Sequence, residues 1–268
     1  MKRLIVIVLA LCVALAPLTA DPGRLRLATT TSTEDSGLLP ILNPPFEKLT
    51  GLKIDVIAVG SGKAIKLGEN GDVDVVLVHD RAAEDKFVAQ GFGINRRDVM
   101  HNDFVVVGPT DDPARVAGTK SAAEAFSKIA AAGIAFVSRG DASGTNVKEL
   151  DLWAKAGGKP TGKWYKEVGQ GMGAVLTMSN DMKAYTLADR GTWIAIKAKL
   201  LGLKIVSEGD PELFNPYGVI AVNPQKHPGV NYMAALQYIA WLTSVEGQKI
   251  IREYTLGGQI LFFPDAIR

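Results

Sequence analysis

Three short stretches concentrate the side chains able to hold a small charged ligand: TTTST (29–33), GSGK (60–63) and SRGDASGTN (138–146). Each follows an apolar run and opens a helix-like run, so each is expected at the carboxyl end of a strand, where ligands of open α/β sheets sit. The first N–H groups of a helix lack internal partners and carry roughly half a positive charge from the helix dipole. Such an end attracts an anion without needing a basic side chain. Ser, Thr, Asn and Asp are also the ordinary N-caps of helices, and capping alone suffices for any one of these junctions. Three junctions in one chain, with Thr29, Thr30, Thr31 and Ser32 in succession, exceed what caps require. Gly60, Gly62 and Gly144 let a backbone approach a ligand closely. Arg139 offers a planar fork to an oxyanion or a salt bridge to Asp141, and the stretch leaves both open. A carboxylate at Asp141 would repel an anion unless it pairs with Arg139 or points away.

Other chemistries lack their residues. GSGK has Ile57 where a phosphate-binding loop needs its first glycine, and Ala64 where it needs Ser or Thr. His79, His101 and His227 are scattered, with no metal-ligand spacing. No GxSxG elbow occurs. GDASGT resembles a serine-protease elbow only superficially, so an exported hydrolase acting through Ser143 stands as the second functional class.

The elements that must position these stretches alternate. LRLA (25–28), KIDVIAVG (53–60), DVDVVLVHD (72–80), DFVVVGP (103–109), IAFV (134–137) and YGVIAVNP (217–224) read as strands. SGKAIKLGEN and RAAEDKFVAQG read as helices, and FEKLTG as a helix end stopped by Gly51. SAAEAFSKIAAAG (121–133) puts Ala122, Ala125, Phe126 and Ile129 on one helical face. VKELDLWAKAGG is expected to bury Val147, Leu150 and Ala154, and NYMAALQYIAWLTSVEGQKIIREY to form one long amphipathic helix. The alternation predicts an α/β fold with mostly parallel sheets and flanking helices. With no clean linker, DFVVVGP and NPYGVIAVNP are the expected crossings between two lobes.

MKRLIVIVLALCVALAPLTA reads as a secretory signal peptide (residues 1–20) cleaved near Ala20. Its apolar run is short for a membrane span of about 20 residues. Cys12 lies within it, so the 248 residues that follow use no thiol chemistry, as suits an oxidising periplasm. The chain has 30 basic and 28 acidic residues; without Lys2 and Arg3 the signs balance at 28 each, which argues against a nucleic-acid partner.

TTTS, GSGKA, GDVDVVLVHD, HNDFVVVGP, SRGDASGT, AYTLADRGTW and NPYGVIAVNPQKHP occur in this order across essentially the whole mature chain. Together they resemble the periplasmic tungstate-binding proteins of bacterial ABC importers. Asn146 is a departure, since His is expected there in many relatives. The resemblance implies a two-lobe periplasmic-binding-protein type II fold, with lobe one at 21–104 and 217–268 and lobe two at 105–216. It implies Thr30, Thr31, Ser32 and Ser61 as ligand contacts from lobe one, and Arg139, Ser143, Gly144 and Thr145 from lobe two, with Tyr185 and Thr186 near the cleft wall. It implies no cofactor, a monomer, and an ABC permease as membrane partner. Tungstate and molybdate are proton-free tetrahedral dianions, so an all-donor site suits them. Monohydrogen phosphate benefits from an acceptor, and sulfate matches the donors but is smaller. A sulfate or phosphate receptor is the alternative within this class.

Overall fold

A computed structural model describes residues 23–267. The signal peptide assigned to residues 1–20, with Cys12, lies outside the described residues.

The first half of the chain runs β1 (Arg24–Thr30), α1 (Thr31–Asp35), α2 (Leu39–Thr50), β2 (Lys53–Val59), α3 (Ser61–Asn70), β3 (Val75–Val78), α4 (Arg81–Ala89) and β4 (Gly93–Pro109). It continues α5 (Ala122–Ala132), β5 (Phe136–Ser138), α6 (Gly144–Lys155), β6 (Tyr165–Glu167), α7 (Met172–Met182), β7 (Thr186–Asp189), α8 (Arg190–Ile196), β8 (Leu203–Ser207) and β9 (Phe214–Val222). It ends α9 (Tyr232–Leu242), α10 (Val245–Glu253), β10 (Thr255–Leu256), β11 (Gln259–Ile260) and β12 (Phe263–Pro264).

β1 pairs in parallel with β2 and with β3. β9 then runs antiparallel to β3, and β4 antiparallel to β9. β4 is 17 residues long and serves two sets of neighbours. Its first part, Gly93 to Asp103, pairs with β9; its last part, from Phe104, pairs with β7 and β8. The expected crossings are therefore neighbours, with Asp103 opposite Phe214. The sheet is mixed rather than mostly parallel, because the chain leaves along β4 and returns beside it along β9. The strand signal before Asp103 was hidden by Arg96, Arg97 and Asp98 and by two register shifts that break the period of two.

The face of α5 is as expected, with Ala122, Ala125, Phe126 and Ile129 buried. The face of α6 is not. Val147 is 43% exposed, Leu150 half-buried and Ala154 exposed, while Asn146, Glu149, Leu152 and Trp153 are buried. Trp153 decides this rotation. Its ring lies 4.5 Å from that of Phe126 and 5.2 Å from that of Phe136, and such pairs contribute about 0.5–1.5 kcal/mol each beyond area burial. The expected single C-terminal helix is two helices, α9 and α10. Ser244 caps the second, accepting from Gly247 N at 3.0 Å. A Cβ at Gly247 would fall 2.2 Å from the Trp241 carbonyl oxygen, so the break demands glycine there. Among the described residues no helix is long and apolar enough to cross a membrane.

Candidate functional site

Three strand-to-helix junctions converge. β1 delivers Thr30 as the N-cap of α1, with its hydroxyl accepting from Thr33 N at 3.2 Å. Ser32 Oγ lies 3.1 Å from Thr30 Oγ1. β2 delivers Gly60, and α3 starts at Ser61 with no side-chain cap. β5 delivers the 138–143 loop, and Ser143 caps α6 by accepting from Asn146 N at 3.3 Å.

Thr30, Thr31, Ser32, Gly60, Ser61, His79, Arg139, Ser143, Gly144 and Thr145 line one small, tightly closed cavity. It contains every one of the ligand contacts expected from the sequence, and its lining has no carboxylate. Two hydroxyls separate this arrangement from mere capping. Ser61 Oγ and Thr145 Oγ1 are buried and make no hydrogen bond among the described residues. A buried hydroxyl without a partner is unfavourable, and both are placed where a ligand acceptor would satisfy them. At Gly144 the α6 start packs closely on its neighbours: a Cβ there would lie 3.1 Å from Ser61 Oγ and 3.1 Å from His79 Cε1.

Arg139 is buried, with Nε and Nη2 donating to Asp141 Oδ2 at 3.2 and 2.6 Å. Arg139 thus forms the salt bridge to Asp141 and lines the cavity as well. Burial pushes the Asp141 carboxyl up. Hydrogen bonds from Arg139 and Ser143 together with the Arg139 charge outweigh it and hold the group below its ordinary value. Asp141 therefore stays a carboxylate and orients Arg139. It does not line the cavity.

The loop stores strain that neighbours hold. Gly140 has φ 59° and Ala142 φ 55°, the left-handed region that costs a non-glycine residue about 1–2 kcal/mol. Ala142 N donates to Asn146 Oδ1 at 3.1 Å, and Asn146 Nδ2 donates to Ser138 Oγ at 3.3 Å. Asn146 is thus a brace of the loop and not part of the cavity wall. Tyr185 and Thr186 do not line the cavity either. The Tyr185 hydroxyl donates to Asp112 Oδ1 at 2.7 Å, and that of Thr186 to the Val137 carbonyl at 2.7 Å, so both are packing residues.

His79 also lines the cavity and is not among the residues expected there. It ends the VVLV strand, the same carboxyl-end position that picked out the three junctions, but was weighed only for metal spacing and catalysis. His79 Nε2 lies 3.2 Å from Ser32 Oγ, and Nδ1 2.9 Å from Asn215 Oδ1. Burial drives its imidazole down to about 4, with the Arg139 charge adding to the shift and the Asn215 hydrogen bond opposing it. The ring is neutral at pH 7. A larger open groove lined by His101, Asp103, Arg190, Asp210 and Phe263 contains none of the three junctions.

Comparison with known proteins points the same way. Residues 19–246 match the family model described as PBP superfamily domain. The tungstate-binding protein TupA of Peptoclostridium acidaminophilum is 48% identical over 254 residues, covering 93% of this chain and 88% of that protein. The crystal structure of the tungstate ABC transporter from Geobacter sulfurreducens is 59% identical, with TM-score 0.80, covering 86% of this chain and 98% of that one. The tungstate-binding protein TupA from Desulfovibrio alaskensis G20 is 46% identical, also with TM-score 0.80, covering 91% of this chain and 99% of that one.

Proposed function

The chain belongs to the PBP superfamily, and on that premise we propose that it is a periplasmic receptor for a tetrahedral oxyanion, tungstate in the first place, serving an ABC importer. Its similarity along most of its length to proteins named for tungstate supports the ligand. The single observation that carries the site is the pair of unpartnered buried hydroxyls, Ser61 and Thr145, facing one carboxylate-free cavity beside Arg139. Four oxygens that only accept suit a wall of donors. Molybdate offers the same pattern. Sulfate or phosphate is the weaker reading, since phosphate gains from an acceptor that the wall does not provide.

In this reading Thr30, Thr31, Ser32 and Ser61 hold the anion from lobe one (21–104 and 217–268), and Arg139, Ser143, Gly144 and Thr145 from lobe two (105–216). Adjacency of Asp103 and Phe214 on β4 and β9 supports that division, because the two crossings then lie side by side. The anion bridges the lobes and favours the closed form by its differential affinity for it. A permease that reads the closed form receives only loaded receptor. The protein acts as a monomeric carrier without catalysis or cofactor, exported after cleavage near Ala20.

Thermal unfolding of the mature protein tests this. At a hundredfold excess over the dissociation constant, binding to the native state contributes about 2.7 kcal/mol, or about 5–10 °C for a chain of this size. Tungstate and molybdate should produce that rise. A rise with sulfate or phosphate but none with tungstate would overturn the assignment.

A further inference from the structure

Asn102 on β4 and Asn215 on β9 are cross-strand partners, and both are buried. Asn215 links them to the cavity through His79. With Asn215 Oδ1 toward His79 Nδ1, Asn215 Nδ2 donates to Asn102 Oδ1 at 2.6 Å. That arrangement leaves one buried donor unserved. Asn102 Nδ2 has no partner among the described residues. The Tyr217 hydroxyl, also buried, lies 3.5 Å from Asn215 Nδ2.

One concerted change gives the Asn102 amide nitrogen an acceptor. The oxygen and nitrogen of an amide occupy equivalent positions. Turning both amides over keeps the framework in place. Asn102 Nδ2 then donates to Asn215 Oδ1, which also becomes an acceptor for the Tyr217 hydroxyl. Asn215 Nδ2 now donates to His79 Nδ1. A neutral imidazole that accepts at Nδ1 must carry its proton on Nε2, and Nε2 faces Ser32 Oγ.

We propose that His79 is a positioning residue that donates from Nε2 to Ser32 and thereby frees the Ser32 hydroxyl proton to point at the bound anion, with Asn215 and Asn102 fixing that tautomer from the two crossing strands. The inference rests on the oxyanion reading for its purpose. A proton-free anion needs Ser32 as a donor. The opposite tautomer takes the Ser32 proton for itself and turns oxygen lone pairs toward the cavity, which suits a protonated anion. It is also the Ser–His–Asn orientation that would activate a nucleophile. The same three side chains thus favour a receptor for proton-free anions in one proton arrangement and lose that preference in the other. Burial, which keeps the imidazole neutral, is consistent with either tautomer and does not choose between them.

The test is nitrogen NMR of the full mature protein labelled with ¹⁵N histidine, recorded with and without tungstate. The chain has three histidines, His79, His101 and His227, so assignment by single substitution is practical. A proton on Nε2 of His79 with Nδ1 unprotonated is the expected result. A proton on Nδ1, or on both nitrogens, overturns the proposal. The thermal shift of the unsubstituted protein reports separately whether tungstate binds, so failure of the oxyanion reading remains distinguishable. Two variants add a functional readout. His79→Gln keeps an N–H near the Nε2 position, whereas His79→Asn keeps only the Nδ1 side. The Asn variant should bind tungstate about tenfold more weakly than the Gln variant. Equal affinities in two variants with matching ligand-free melting temperatures would contradict the assigned role.

Discussion

Ser61 and Thr145 stand near the starts of two helices, α3 and α6, that follow different strands, and their hydroxyls are buried without partners in the same cavity wall. Neither helps to cap its own helix, a task left to no side chain in α3 and to Ser143 in α6. Folding has therefore left two donors waiting for an acceptor that the chain does not supply.

Ser61→Ala and Thr145→Ala should each weaken tungstate binding by about tenfold or more, the worth of a hydrogen bond to a charged group. The ligand-free melting temperature should stay level or rise, because an unsatisfied buried hydroxyl is lost. Titration calorimetry and thermal unfolding read the two effects separately. Unchanged affinity in both variants would remove these hydroxyls from the ligand.

Arg139→Ala should cost far more affinity than Lys63→Ala. Arg139 is buried in the cavity wall, whereas Lys63 is exposed and outside the wall. Arg139→Lys should not restore binding, because a lysine lacks the fork that Asp141 grips with two nitrogens. Calorimetry on the three variants decides, and equal losses for Arg139→Ala and Lys63→Ala would exclude Arg139 as a ligand contact.

Gly144→Ala should weaken binding while leaving ligand-free stability near its original value. The added methyl would lie 3.1 Å from Ser61 Oγ and from His79 Cε1, so those neighbours in the cavity wall must give by a few tenths of an ångström. Affinity should fall with little change in the ligand-free melt, and a variant of full affinity would show that no close approach occurs there.

Glu149 gives a pH dependence of known sign. Burial pushes its carboxyl up to about 7 against hydrogen bonds from Ser138, Tyr165 and Trp153, while the unfolded chain titrates near 4.5. The neutral form is favoured in the fold, so its stabilisation is complete below pH 4.5 and is lost as pH rises through about 7. At about 1.4 kcal/mol per unit the loss is roughly 3 kcal/mol. Urea unfolding at pH 5 and pH 8 should show a drop larger by that amount in the original protein than in Glu149→Gln. Identical drops would mean that Glu149 is ionised throughout.

Much of this was legible before any coordinates. The three junctions stand out because hydroxyls and glycines at the ends of strands are local features, each junction spanning fewer than ten residues, and the eight residues expected there line one cavity. What was hidden depended on distant partners. The face of α6 turns on Trp153 meeting Phe126 and Phe136, which no period within the helix reveals. The start of β4 was masked by charges whose partners, such as Glu84 for Arg96, lie on α4. His79 became visible only with Asn215, 136 residues away in sequence. The Tyr185 and Thr186 positions were placed near the cleft by resemblance, and their actual hydrogen bonds to Asp112 and Val137 are tertiary contacts.

Anomalous diffraction at a tungsten absorption edge, from crystals of the mature protein grown with tungstate, tests the central claim most directly. The account predicts one strong peak between Ser61 Oγ and Thr145 Oγ1, within reach of Arg139. No peak there, or a peak only at another place on the molecule, would contradict it.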